Sequence, residues 1–260
     1  MNASARVTVL GCGTSTGVPS IGCKTAACLS DDPRNKRLRP SIIIEHGGRN
    51  LLVDTGPDLR EQALRHQITR VDAVVYTHYH ADHTHGIDDL RAFNFLMGKP
   101  IPCYAYPNTV KILCQNFSYI FNHAREYSGF KPQLTLAEIG NSPFEVAGMN
   151  VIPFELEHAG MKVMGLRVGD FAYATDCNAI PEKSMEILKG VRVLILDALR
   201  HREHPSHFTV AEALEIVEEL KPEQTYFTHT NFELEYYETN RSLPSGVELA
   251  YDGLNFDVFL

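Results

Sequence analysis

The sequence predicts an α/β fold, and three observations carry the prediction. Short apolar runs follow one another along the chain, separated by Gly, Pro and Asp; helix signals stand among them; and several runs end directly on a His or an Asp. The 260 residues can bury a sizeable core without covalent staples, and no repeat, low-complexity tract or composition break marks a linker, so residues 1–260 read as one domain.

Residues 6–10 form the first run, which feeds the glycine-rich turn Gly11-Cys12-Gly13-Thr14-Ser15-Thr16-Gly17. Runs 41–45 and 50–53 flank His46-Gly47-Gly48-Arg49 and read as a β-hairpin. Asp54-Thr55-Gly56-Pro57 stops the second strand and starts a helix through about His66, with Pro57 in the first turn, where a missing N–H does no harm. Residues 71–76 read as a strand that ends on the densest histidine cluster of the chain. The stretch 100–150 reads as an insertion that shapes a pocket and carries a helix over 108–121. Residues 151–157, 163–168, 171–174 and 193–196 read as strands, and the first, third and fourth run into a His or Asp. Thr209 and Glu212 have the spacing of a capping box ahead of an amphipathic helix over 210–220, which Pro222 terminates; a last strand, 225–228, empties onto His229. Core strands hold such loops rigidly at one sheet edge.

The segment Thr77-His78-Tyr79-His80-Ala81-Asp82-His83 places three imidazoles and a carboxylate within six residues. In an extended loop, alternation points His78 and His80 the same way, while Asp82 and His83 lie on the following turn and face a second position. The plain alternative is a solvated loop rich in histidine; four ligand-type side chains crowded at the end of an apolar strand argue for metal. His158 and His229 are weaker evidence singly, because a lone His after a strand is more often structural.

The cluster resembles the H-x-H-x-D-H signature of the metallo-β-lactamase superfamily, and the remaining motifs follow in order. Asp54 in Leu51-Leu52-Val53-Asp54-Thr55-Gly56, His158 after Phe154-Glu155-Leu156-Glu157, Asp176 in Tyr173-Ala174-Thr175-Asp176 and His229 in Phe227-Thr228-His229-Thr230 are similar to the others. The resemblance implies a four-layer αββα sandwich with a dinuclear site at one edge of the sheets. It implies His78, His80 and His158 around one ion, Asp82, His83 and His229 around the other, and Asp176 bridging. Imidazole suits zinc, and the carboxylates raise tolerance for manganese or iron. Asp176 stands where one group of true β-lactamases has a cysteine, which turns the expectation from antibiotics to the family's hydrolases and phosphodiesterases; neighbouring Cys177 reads as buried packing.

Three further stretches resemble the cyclic-phosphate phosphodiesterases of phosphonate degradation and their ribonuclease-Z-like relatives. These are Gly11 through Pro19, Arg200-His201 through His207-Phe208-Thr209, and Leu243-Pro244-Ser245-Gly246 with Tyr251-Asp252-Gly253. The implied function is hydrolysis of a small cyclic or nucleotide-like phosphodiester by a metal-bridged hydroxide, with Asp82 and Asp176 orienting it and His207 assisting the leaving group. From its place before the capping box alone, His207 reads equally well as a helix-flanking surface residue. Alternatives are thioester or lactone hydrolysis by the same hydroxide, and a non-catalytic metal-binding carrier on the same scaffold. Relatives of this branch hold a structural zinc through C-x-C-x-x-C and a further histidine. Here Thr25 replaces the middle cysteine between Cys23 and Cys28, and Phe232 replaces the histidine, so that site is expected to be empty, with Cys12 the one candidate third ligand.

A net charge of −8 disfavours binding of long nucleic acid but not of a small phosphorylated substrate. Six scattered cysteines, no leader-like N-terminus and no membrane-length apolar run read as a soluble cytoplasmic protein with reduced thiols and no membrane partner; a homodimer is compatible with the sequence. The basic run Arg34-Asn35-Lys36-Arg37-Leu38-Arg39 reads first as a solvated loop and second as an attractor for phosphate. No motif claims His46, His66, His85, His123, His201 or His204, which are expected to be structural or exposed.

Overall fold

The structure, a computed structural model, describes residues 4–121 and 131–260. The apolar runs form two mixed sheets. Strands β1 (Ser4–Gly11), β2 (Ser41–His46), β3 (Arg49–Val53), β4 (Ala73–Val75), β5 (Ile101–Ala105) and β6 (Leu134–Glu138) precede β7 (Phe144–Val146), β8 (Met149–His158), β9 (Met161–Val168), β10 (Phe171–Ala174), β11 (Val193–Asp197), β12 (Gln224–Thr228), β13 (Val247–Leu249) and β14 (Asn255–Phe259). One sheet runs β14-β1-β2-β3-β4-β5-β6 and the other β13-β12-β11-β10-β9-β8-β7. Pairing is parallel from β3 through β6 and from β10 through β13, and antiparallel elsewhere.

Period-two alternation decides what each strand faces. Ile42, Ile44, Leu51 and Val53 of the first sheet meet Met164, Leu166, Tyr173 and Ile195 of the second in the inter-sheet core. Ile43, Leu52 and Val74 point outward instead, under a helical layer that brings Leu59, Leu90, Phe93 and Leu113. Ala172, Leu194, Leu196 and Phe227 do the same on the far side beneath Met185, Leu188, Val210 and Ala213. Both faces of the central strands are therefore covered, which is why they read as continuous apolar runs without polar alternation. The result is the expected αββα sandwich, and no helix among the described residues is long and apolar enough to cross a membrane.

The helix Val210–Leu220 has the expected bounds and a complete Thr209–Glu212 capping box. The helix expected from Pro57 begins later, at Leu59, because the Asp58 carboxylate accepts from the Arg39 backbone N–H at 2.8 Å and gives Leu59–Arg65 no side-chain cap. The helix expected over 108–121 is two, Pro107–Asn116 and Ser118–Phe121, broken where Phe117 leaves helical geometry at φ −114°, ψ 42°. The rest of the expected insertion supplies β5, β6 and β7; residues 122–130, with His123, lie outside the described part. The expectation of reduced thiols fails at one place. The short helix Ala26–Leu29 turns the chain so that Cys28 comes back to Cys23 at a Cα separation of 6.0 Å, and the two form a disulfide. Cys12, Cys103, Cys114 and Cys177 are free.

Candidate metal centre

Ligands of open α/β sheets bind beyond the carboxyl ends of the strands, and there the candidate residues lie. Asp54 follows β3, the Thr77–His83 loop follows β4, His158 ends β8, Asp176 follows β10, Asp197 ends β11 and His229 follows β12. Parallel register keeps these ends level: Val53 pairs with Val75, Ala174 with Leu196 and Asp197 with Thr228. Three of the corners are bent against the handedness of L-residues, with φ of 64° at Asp54, 53° at Asp176 and 57° at His229. Such non-glycine conformations cost on the order of 1–3 kcal/mol each and persist where the surroundings enforce them.

Asp54 is the enforcer on the first sheet. Fully buried, it accepts from the Thr77 backbone N–H and hydroxyl at 2.8 Å each and from His83 Nδ1 at 2.7 Å. The Thr77 hydroxyl, already donating to Asp54, accepts from His78 Nδ1 at 3.1 Å. The loop is also pinned by backbone: Thr55 N–H donates to His83 O at 2.7 Å and Gly86 N–H to Thr55 O at 2.8 Å. That contact demands glycine twice, since a Cβ on Gly56 would stand 2.2 Å from Asp82 O and one on Gly86 2.0 Å from Gly56 O.

Three ligand-type clusters result among the described residues: His78, His80, His158 and Asp176 form one; Asp82, His83, Asp176 and His229 form the second; Asp197, His207 and His229 form a smaller third beside them. Within each, one donor atom per residue lies within 4.8 Å of all the others; Asp176 belongs to the two larger clusters, and His229 to the second and third. Asp176 carboxylate oxygens stand 3.7 Å from His78 Nε2 and 3.2 Å from both His83 Nε2 and His229 Nε2; Asp82 Oδ2 is 3.6 Å from His83 Nε2 and 3.5 Å from His229 Nε2. The structure therefore brings all seven residues named from the sequence to one place. The donor set suits a borderline transition ion, and a simple observation tests the fit. Among the described residues, His78 Nε2, His83 Nε2, His229 Nε2 and Asp82 Oδ2 are buried without a well-formed hydrogen bond, a costly arrangement that cations at the two larger clusters would relieve. Tautomers agree: His83 Nδ1 donates to Asp54 and His158 Nδ1 to Ser206 O at 2.7 Å, leaving each Nε2 lone pair for a ligand.

The electrostatics follow from the crowding. Burial opposes a charge on His83, but Asp176, Asp54 and Asp82 together lift its pKa well above the ordinary value. Burial likewise opposes ionisation of Asp176, yet His229 and His83 hold it well below the carboxylate range. The site asks for positive charge among its carboxylates.

His207 stands beside the cage and not on the surface. It is 7% exposed, stacks on His229 with ring centroids 4.5 Å apart, and its Nδ1 meets Asp197 Oδ2 at 2.7 Å. Burial lowers its pKa, but Asp197 outweighs that and pushes it up to about 9. Asp197 is wholly buried and also accepts from the Cys177 backbone N–H at 2.9 Å. Sequence reasoning missed Asp197, although it closes an apolar strand as Asp54 does. It also passed over His204, whose ring lies 5.1 Å from that of His207, and His85, which lines a cavity beside Asp82. Cys177 is buried packing as expected, and Cys12 bonds to Ala250 O at 3.3 Å, while Cys23 and Cys28 pack with Val18, Ala27 and Phe232.

Comparison with known proteins agrees with this picture. The family model of the beta-lactamase superfamily domain matches residues 49–230. A solved structure described as a new diphosphatase from the PhnP family is 44% identical, covers 100% of this chain and 99% of its own, and superposes with a TM-score of 0.93. An octanoyltransferase of Porphyromonas gingivalis is 36% identical over 253 residues, 96% of this chain and 51% of that protein. Coenzyme PQQ synthesis protein B of Bradyrhizobium diazoefficiens is 30% identical over 174 residues, 57% of this chain and 52% of that protein. The chain thus spans about half the length of these two curated relatives. With the family match covering most of the chain and the fold and strand-end site in agreement, the protein belongs to the beta-lactamase superfamily and has the metallo-β-lactamase fold.

Proposed function

We propose that the protein is a phosphodiesterase that holds two divalent cations, zinc or manganese, in the Asp176-centred cage and hydrolyses a small cyclic or nucleotide-like phosphate. The observation that supports this most is the buried Asp197–His207 pair set against a double ligand cluster. Bound cations supply charge to the phosphoryl oxygens and lower the pKa of a water toward neutrality. Asp176, shared by both clusters, fixes their spacing, and Asp82 faces the second. Asp197 accepts at His207 Nδ1 and orients the ring, leaving Nε2 to donate a proton to the departing oxygen, a role that contributes about 10²–10⁴-fold. The diphosphatase description of the 44%-identical structure supports phosphoryl chemistry.

A second reading, acyl transfer or thioester hydrolysis, is favoured by the relative named octanoyltransferase. It weighs less, because 51% of that protein is matched and the name can belong to the remainder. Protein reconstituted with zinc or manganese should turn over bis(p-nitrophenyl) phosphate well above S-acylglutathione. The reverse preference would overturn the proposal, and stoichiometric bound metal with no turnover of either would point to a carrier.

A further inference from the structure

The stretch 100–150, expected to shape a pocket, borders a cavity of about 420 Å³. Tyr106 after β5, the first turn of the helix Pro107–Asn116, the segment 139–141 after β6 and residues of the β8–β9 hairpin line it. Register sets it against the first ligand cluster. Val75 pairs with Tyr104 and the Tyr76 N–H donates to Tyr104 O at 2.9 Å, so Tyr106 leaves β5 beside the point where the chain reaches Thr77 and His78. On the other wall Met161 is the ladder partner of His158.

The walls offer two kinds of surface. Pro107, Ile139 and Met161 are apolar, and Tyr106 adds a ring whose hydroxyl donates to Asn141 Oδ1 at 2.6 Å. Between them stand polar groups without partners. Thr109 is 3% exposed, yet its hydroxyl makes no hydrogen bond among the described residues, and neither does the Asn108 side chain. The backbone N–H groups of Asn108 and Thr109 are free too, because they belong to the first helical turn and Tyr106, at the N-cap, gives no side-chain cap. The cavity carries little net charge. Lys162 is the one cation among the described residues that line it, and Glu155 Oε2 lies 2.9 Å from its Nζ.

We infer that this cavity receives the base of a nucleotide substrate, with Asn108 and Thr109 bonding its edge, so that the enzyme prefers nucleoside phosphoesters to the same esters without a base. The inference rests on the phosphodiesterase reading above and narrows its substrate class. A nucleobase is flat and uncharged, apolar on its faces and set with donors and acceptors around its edge, which is the combination these walls can meet. A phosphate would face Glu155 and a cation that Glu155 already neutralises. An acyl chain would desolvate the Thr109 hydroxyl and the two N–H groups without giving them partners, which is costly.

The test uses the metal-loaded protein and the p-nitrophenyl esters of the common nucleoside 5′-monophosphates, set against the p-nitrophenyl ester of baseless 1,2-dideoxyribose 5-phosphate. All release the same p-nitrophenolate, so the ratio of kcat/KM values reads the base alone. The wild type is expected to favour at least one nucleotide ester about tenfold or more, and Thr109→Val and Asn108→Ala each to lower that ratio about 2- to 10-fold, the worth of one hydrogen bond. Asn108 is exposed, which keeps its variant free of the folding risk at Thr109. A fall in either variant supports the inference. A wild type indifferent to the base, or a ratio unchanged in both variants, overturns it while leaving the phosphodiesterase reading intact. If no ester is hydrolysed, that reading fails instead. Saturation-transfer NMR with the free nucleosides then decides for the cavity: binding that weakens in Thr109→Val or Asn108→Ala supports it, and no binding, or equal binding by the variants, overturns it.

Discussion

The site contains the same device twice, once on each sheet. Asp54, after β3, holds His83 Nδ1 at 2.7 Å, and Asp197, ending β11, holds His207 Nδ1 at 2.7 Å; both carboxylates are wholly buried. What differs is the company of the outer nitrogen. His83 Nε2 looks at Asp176 and Asp82, inside the cage, whereas His207 stacks outside it on His229. On the proposed function, one Asp–His pair aims a ligand and the other aims a proton, and position along the sheet edge decides which. A third histidine, His229, has no hydrogen-bond partner on Nδ1 among the described residues. Its segment is held through the chain instead, by Arg37 donating to the Thr230 hydroxyl at 2.8 Å, Asn231 O at 3.2 Å and Leu234 O at 2.6 Å.

The sharpest way to break this comparison is to remove the outer histidine. His207→Ala should lower kcat by about 10²–10⁴-fold with metal content unchanged by elemental analysis; loss of metal would mean that His207 is a ligand and the two pairs are not distinct. Asp54→Asn should act on the ions instead, weakening metal affinity about 10–100-fold. Its kcat should recover in excess metal, whereas that of Asp197→Asn should stay low in any metal concentration, and identical metal titrations for the two variants would count against the division of labour.

Arg37→Met addresses the third histidine. Leaving the Asn231 and Leu234 carbonyls buried without donors should cost about 2–4 kcal/mol, lowering Tm by roughly 5–15 °C. An unchanged Tm would show that the His229 segment is held by something else.

The most gradual effect comes from a buried carboxylate that has no imidazole partner among the described residues. Burial pushes Asp252 up to about 7, although the backbone N–H groups of Leu38 and Cys12 oppose it. The folded protein thus binds this proton more tightly than the unfolded chain. Its contribution to stability is complete below the unfolded value of 3.8 and is lost as pH rises toward about 7, with a slope of up to about 1.4 kcal/mol per pH unit. Urea unfolding across that range should show the slope in the wild type and a flatter profile in Asp252→Asn.

Sequence legibility followed the range of the interaction. The His78–His83 motif is contiguous, so its chemistry shows in a six-residue window, whereas the later candidate ligands, weak evidence singly because a His after an apolar run is more often structural, were placed by the order of the motifs that the chain resembles. The roles of Arg37, read within a solvated basic run, and of Asp197, read only as the end of a strand, were not legible because they depend on partners brought near by folding: Thr230 lies 193 residues from Arg37, and His207 reaches Asp197 across a loop. The central strands were visible as unbroken apolar runs covered on both faces. Short strands such as β6 and β13 were not, since half-exposed edges carry a weaker pattern. The helix expected from Pro57 was started too early: Asp58, at its N-cap position, gives no side-chain cap and instead takes the Arg39 backbone N–H.

The corners at Asp54, Asp176 and His229 carry a consequence for how this centre can change. Each position must satisfy two demands together, a particular functional group and a backbone twist that β-branched residues resist. Swapping chemistry there by Val, Ile or Thr would unseat the main chain before any question of metal preference arose, while Asn or Gly would keep the bend and lose the donor. The cage is thereby guarded by shape as well as by charge, and routes to a new metal specificity run through the residues that surround these three bends.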